Sequence, residues 1–172
     1  MIHNFLGSIE LERKASPILD GWYKTNFKNL IGILDVTADP FFQKVGIDKF
    51  LIFKCPNVAK TVSFSIDEKV RGQSWQDIIA ETWSNREKEI PGWIWMSKAD
   101  YIVYAFVQNN ELVEPPRFIP TIDFVSAIKA RDYPLNEAKN MGWTTVFKLI
   151  PKEDLPSKPP KEIKLEDFMY GF

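Results

Sequence analysis

The stretch from Thr61 to Val70 constrains this chain most. Apolar and polar residues alternate along it: Val62, Phe64 and Ile66 fall on one face, and Ser63, Ser65, Asp67 and Lys69 on the other. A period of two places side chains on alternate faces of a strand, and no helix accommodates it. The alternation has a chemical consequence. Asp67 and Lys69 share the polar face one strand repeat apart, while Glu68 between them points the opposite way.

The neighbouring sequence predicts where this strand sits. Val45–Phe53 reads as a preceding strand that opens on Gly46-Ile47-Asp48, and Pro56-Asn57 marks the turn between the two. A hairpin with that turn brings Asp48 beside Asp67. Ser8–Phe27 has Leu11, Ala15, Ile18, Leu19 and Trp22 at helical spacing, which predicts a helix with one apolar face, kinked or restarted at Ser16-Pro17. Ile78–Trp83 and Tyr101–Val107 read as further strands, with a break at Arg71–Ser74. Glu114–Pro120 reads as an extended connector, Asp123 as the cap of a helix to about Arg131, and Thr144–Ile150 as a late strand. The order of helix, three or four strands, helix, strand predicts an α/β fold with a mixed sheet. Residues 1–155 read as one domain. Residues 156–172 read as a Pro- and Lys-rich tail ending in Phe168, Met169, Tyr170 and Phe172, an arm that docks on its own domain or on a partner.

Two carboxylates and an ammonium at one point of a sheet suit a particular chemistry. Magnesium prefers oxygen ligands, often one or two carboxylates with waters and a substrate phosphate completing the shell. A lysine alongside orients a water and offsets charge that builds on a phosphoryl group. Hydrolysis of a phosphodiester uses all three. Other acids are candidates for the same place. Glu10 and Glu12 both lie in the first helix, and Glu12 falls at the edge of the apolar stripe whereas Glu10 lies nearly opposite, so Glu12 is preferred. Glu81 alternates with Ile79 and Trp83 on the third strand. Gln43, just ahead of Asp48, is placed to hold a phosphate or a water. His3 is assigned no role. Trp93 and Trp95 read as packing residues first and as base-stacking residues second.

Asp48 followed by Asp67-Glu68-Lys69 resembles the PD-(D/E)XK nuclease superfamily, which includes restriction enzymes, Holliday-junction resolvases and many phage and mobile-element nucleases. The Gln43–Asp48 stretch and the leading helix with its Glu are similar to members of this group. The resemblance covers roughly residues 8 to 107, and it departs at the first motif, where Ile47 stands in place of Pro. It implies a restriction-endonuclease-like αβββαβ core and a metal-dependent endonuclease acting on DNA. It further implies catalytic Asp48, Asp67, Lys69, Glu12 and Gln43. Magnesium or manganese would be held by Asp48, Asp67, the Glu68 backbone carbonyl and Glu81. A homodimer is expected, since many relatives cut both strands that way.

Charge and cysteine content bear on this reading. The net charge is −1, whereas a protein that binds nucleic acid through bulk electrostatics is more basic. That favours a rival, a non-cleaving nucleic-acid-binding or structural module of the same fold; an RNA nuclease is a second alternative. A lone cysteine, Cys55, excludes an internal disulfide and a cysteine-based zinc site. No run is long enough to span a bilayer and the opening residues lack the pattern of a signal peptide, so the expectation is a cytoplasmic protein with no membrane association.

Overall fold

The computed structural model describes residues 5–55 and 60–160. The chain opens with helix α1 (Phe5–Asn26), and Pro17 sits inside it without ending it. Strand β1 (Leu30–Asp35) follows, then a short helix α2 (Pro40–Lys44), β2 (Lys49–Lys54) and β3 (Thr61–Arg71). Next come β4 (Asp77–Asn85), the two-residue β5 (Ile90–Pro91), the single turn α3 (Trp93–Met96) and β6 (Tyr101–Gln108). The last part contains β7 (Glu111–Leu112), β8 (Arg117–Pro120), α4 (Thr121–Ala130), β9 (Leu135–Lys139), β10 (Thr144–Pro151) and a 3₁₀ turn at Lys152–Asp154.

These strands form two sheets. In the central one β1, β2 and β3 run as an antiparallel meander. β6 pairs parallel to β3, and its far edge is shared by β8 and β7, both antiparallel. The sheet is therefore mixed, as expected for an α/β fold. The second sheet is antiparallel, in the order β5-β4-β10-β9. It lies between β3 and β6 in the chain, and later chain completes it, so the parallel pairing closes through a β excursion instead of a single helix.

The two faces of the central sheet are covered differently. On one, α1 lays Leu19 and Tyr23, with Phe27 just beyond it, against Leu51, Phe53, Ile66, Val103 and Phe118. On the other, Ile102, Tyr104 and Phe106 pack with Ile78 and Ala80 of the second sheet and with Phe124 and Ile128 of α4. β6 is thus buried on both faces, which explains its nearly unbroken apolar run. β3 splits its pleat between the two: Ile66 and Glu68 face α1, and Asp67 and Lys69 face the other way.

Several sequence expectations need correction. Val45–Phe53 is not strand throughout. Asp39 accepts hydrogen bonds from the amides of Phe41 and Phe42, capping α2, whose carboxyl end is Val45. Gly46 then turns with φ +62°, so the strand begins at Lys49 and Asp48 stands at its mouth. Ile78–Trp83 is a strand, but of the second sheet. Arg117–Pro120, read as a connector, pairs with β6 through backbone hydrogen bonds. Asp123 lies in the first turn of α4 and does not cap it; Pro120 occupies that place. β1 and β9 had no counterpart in the sequence reading. Residues 156–158, assigned to the tail, dock on β8: the Lys158 amide donates to the Phe118 carbonyl at 2.7 Å, and the Phe118 amide donates to Ser157 Oγ at 3.1 Å. The Pro56-Asn57 turn and the Phe168, Met169, Tyr170 and Phe172 cluster lie outside the described residues. Among the described residues no helix is long and apolar enough to cross a membrane.

Candidate active site

Register places the acids. Lys49 stands opposite Ile66 in the β2–β3 ladder, and the Asp48 amide donates to the Ile66 carbonyl at 2.8 Å. One residue further back, Asp48 reaches past the end of β2 along β3, and its Oδ2 accepts the Glu68 amide at 2.7 Å. The N–H and C=O of one strand residue point to the same edge, so the Glu68 carbonyl also points to the side where Asp48 lies. The pleat brings Asp67 and Lys69 onto the face that Asp48 joins.

The three side chains interact. Lys69 Nζ lies 2.5 Å from Asp67 Oδ1, with Asp67 only 1% exposed. Burial pushes the Asp48 carboxyl up to about 6; Lys69 and the Glu68 amide oppose the rise, and the Asp67 carboxylate adds to it, through charge and at hydrogen-bonding range. Burial alone would lower the Lys69 ammonium, but Asp67, Asp48 and Glu12 outweigh it and hold it above the ordinary lysine range. Neither Asp67 oxygen has an aligned hydrogen-bond partner among the described residues. Its contacts with Lys69 and Asp48 are therefore close without being well-directed hydrogen bonds. The Lys69 ammonium offsets part of the desolvation cost of this buried carboxylate, and a second cation beside Asp48 and Asp67 would offset more of it.

Gly46 fits the backbone against this group. A Cβ there would stand 3.3 Å from Asp67 Oδ2 and 3.0 Å from Ser97 Cα, and its φ of +62° suits glycine. Ser97 Oγ donates to the Gly46 carbonyl at 3.1 Å, and the Lys98 amide donates to the Val45 carbonyl at 2.8 Å. The segment between α3 and β6 thus clamps the loop that presents Asp48.

The other candidate residues divide. Glu12 lines the same cleft as Lys69. Its carboxyl is raised, by desolvation first and then by Asp48 and Asp67, against the lowering effect of Lys69. Glu10 instead pairs with Lys14 at 2.7 Å on the exposed side of α1. Glu81 also lines the cleft, on β4. Among the described residues no three His, Cys, Asp or Glu side chains gather as a group that could hold a metal ion. Gln43 lies on α2, where its side-chain amide donates to the Thr37 carbonyl.

The sequence reading missed the reverse side of the site. Lys49 is fully buried on the α1 face, 2.6 Å from Asp20 Oδ1 and 3.1 Å from Glu68 Oε2. The Tyr23 hydroxyl donates to Glu68 Oε1 at 2.7 Å. Burial pushes the Glu68 carboxyl up to about 7, against Lys49 and Tyr23, with Asp48 adding to the rise. The only sequence signal was a lysine among apolar neighbours in Val45–Phe53, and local pattern does not show which carboxylate would neutralise it.

No protein-family model, curated protein or solved structure matches this chain.

Proposed function

We propose that this chain is a metal-dependent nuclease that hydrolyses phosphodiester bonds in DNA, on a restriction-endonuclease-like core. The observation that carries the reading is the buried Asp67 carboxylate, which lacks an aligned hydrogen bond yet stands beside Asp48 and Lys69. That donor set fits a hard divalent cation: Asp48 and Asp67 offer carboxylate oxygens and Glu68 offers its backbone carbonyl. Magnesium or manganese bound there would supply Lewis acidity toward a phosphoryl oxygen and a more acidic water. Lys69 is held charged by the acids around it, so at neutral pH it is a donor and not a base. Its role is to orient the attacking water and to offset charge developing on the phosphate. Glu12, across the cleft, has a raised carboxyl and can take up a proton near the reacting atoms. The order of α1, the antiparallel β1–β3 meander and a strand parallel to β3 further supports the core.

The net charge of −1 favours a second reading, a non-cutting nucleic-acid-binding module of the same fold. One experiment tests both. Plasmid, linear and branched DNA are incubated with the protein in magnesium, manganese or EDTA, beside Asp67→Asn. Nicking or cutting that needs the metal and Asp67 supports the nuclease. Binding with no scission in any metal overturns it in favour of the module.

A further inference from the structure

Strand β1 ends the central sheet. It pairs with β2 on one side, and among the described residues no strand lies on its other side. Two bonds fix which backbone groups that free edge presents. The Val36 amide donates to the Asp48 carbonyl at 2.9 Å, and the Lys54 amide donates to the Asn29 carbonyl at 2.8 Å. Along a strand the N–H and C=O groups alternate between its two edges. Ile52 and Phe50, two and four residues before Lys54, therefore turn toward β1, where Gly32 and Leu34 stand opposite them. Ile33 and Asp35 turn their N–H and C=O groups outward.

Edge strands are commonly guarded by lysine, proline or an inward-pointing charge. The run Leu30-Ile31-Gly32-Ile33-Leu34 has none of these, and Ile31 is 57% and Leu34 53% exposed. A register shift falls between Leu30 and Gly32 and leaves the part from Gly32 to Asp35 regular. In that part Gly32 and Leu34 share the face of Ile52 and Phe50, and Ile33 lies with Leu51 on the α1 face. A Cβ on Gly32 would meet only the Ile52 side chain, no closer than 3.6 Å.

These features complement themselves. A copy related by a twofold axis at Ile33, perpendicular to the sheet, runs antiparallel to β1 and continues the alternation of β1, β2 and β3. The two Ile33 residues then exchange N–H···O=C bonds. Each Leu34 stands opposite the partner's Gly32 and fills the room that the glycine leaves over Ile52. The charges agree with this sense. Lys28 precedes the strand and Asp35 ends it, so antiparallel addition brings each lysine to the end that carries the partner's Asp35, and parallel addition would set like against like.

We propose that β1 is a homodimer seam, where a second copy of this chain adds antiparallel along residues 31–35 about a twofold axis at Ile33. The contact is isologous and closes on itself. Because the axis is perpendicular to the sheet, Asp48 and Asp67 of both copies open on one side of a continuous sheet. What two sites on one side achieve rests on the nuclease reading; the seam itself needs neither metal nor DNA.

The test reads mass by light scattering over a dilution series, in EDTA and without nucleic acid. The full chain has twice its 20.0 kDa mass and falls to the single mass on dilution. Leu34→Lys puts a charge into the seam and weakens association by about tenfold or more, with circular dichroism unchanged. Crosslinking checks the register, and decides alone if Leu34→Lys loses its fold. Gly32 and the partner's Leu34 form a non-hydrogen-bonded pair with Cα atoms about 4.5 Å apart, within disulfide reach. Gly32→Cys and Leu34→Cys, mixed under mild oxidant, therefore link into a dimer, and each variant alone does not. A full chain that is monomeric at every concentration overturns the proposal and leaves the edge to a strand of another protein. A dimer that Leu34→Lys does not weaken, or that the cysteine mixture does not link, overturns it too. A cleavage assay in magnesium keeps the two readings apart: a linked dimer that does not cut leaves the seam, and a monomer that cuts leaves the nuclease.

Discussion

The Glu68 amide donates a 2.7 Å hydrogen bond to Asp48 Oδ2, while the Glu68 carboxylate accepts from Tyr23 on the opposite face of the sheet. Two adjacent pairs thus stand side by side. Asp48 and Asp67 meet on the cleft face, and their successors Lys49 and Glu68 meet on the helix face. A one-residue slip of β2 against β3 would turn Asp48 to the helix face and Lys49 to the cleft face, breaking both pairs. The buried pair under α1 therefore fixes the register that assembles the site.

The first prediction concerns pH. The Asp48 and Glu68 carboxyls are pushed up to about 6 and about 7 from ordinary values of 3.8 and 4.5, in both cases by burial first. Both bind protons more readily when folded than when unfolded. The resulting penalty is absent below about pH 4, grows as pH rises through the folded values, and is complete above about pH 7. At about 1.4 kcal/mol per unit, the two acids together cost on the order of a few kcal/mol at neutral pH. With chelator present, the melting temperature should fall as pH is raised from about 5 to about 7.5. Asp48→Asn, which retains an acceptor for the Glu68 amide, should flatten the lower part of that fall and raise the neutral-pH value. A melting temperature that climbs over this range in the parent protein would contradict the assignment.

Lys69 is the counter-ion of the site. Lys69→Met leaves Asp48, Asp67 and Glu12 without the ammonium that offsets them. Cleavage should drop at least about a hundredfold, the scale seen when one transition-state donor is removed. Metal-free stability at neutral pH should fall, and magnesium should restore more of it in the variant than it adds to the parent, because the cation replaces the lost charge. Thermal melts with and without magnesium, beside the nuclease assay, read both effects.

Lys49 has a different role, and its variant should show it. Its ammonium is fully buried between Asp20 and Glu68. Lys49→Met strands Glu68 with Tyr23 alone and should cost about 3–5 kcal/mol in urea unfolding. Adding Glu68→Gln should recover a substantial part of that loss, because it removes the uncompensated charge. Additive losses in the double variant would show that the two residues do not act as a pair.

These sites were unequally legible in the sequence. The alternation of Thr61–Val70 identifies Asp67 and Lys69 as face-sharing residues, because a period of two leaves no other arrangement. Asp48 is legible beside them, although its strand starts later than the pattern suggests: Val45 and Ile47 look like strand residues, and only the Asp39 cap and the left-handed Gly46 show the chain turning first. The second sheet was not legible. β9 (Leu135–Lys139) has little apolar alternation, and although it forms a hairpin with β10, the pairing of β10 with β4 is a long-range choice that local pattern does not encode. The Lys49–Glu68 pair was hidden for the opposite reason. Charged residues at strand positions read as exposed unless the partner that cancels them is known.

The last prediction separates two glutamates only two residues apart in the sequence but on nearly opposite sides of α1. Glu10 is 59% exposed and pairs with Lys14 one helical turn on. Its lowered carboxyl comes chiefly from that lysine, so the group is engaged away from the cleft. Glu12 turns toward Lys69, and its raised carboxyl is the joint result of desolvation and of the carboxylates opposite, offset by Lys69. Pro17 does not break α1, so the helical rotation between the two positions holds. Glu12→Gln should therefore lower the cleavage rate more than Glu10→Gln, by about tenfold or more for a group that handles a proton. It should also shift the acid limb of the pH–rate profile, which a merely structural change at an exposed helix position would leave in place. Glu10→Gln should leave the profile where it is. Equal, negligible effects would remove both acids from the site, and a larger effect at Glu10 would mean that the face of α1 turned toward Lys69 is not the one on which the reaction depends.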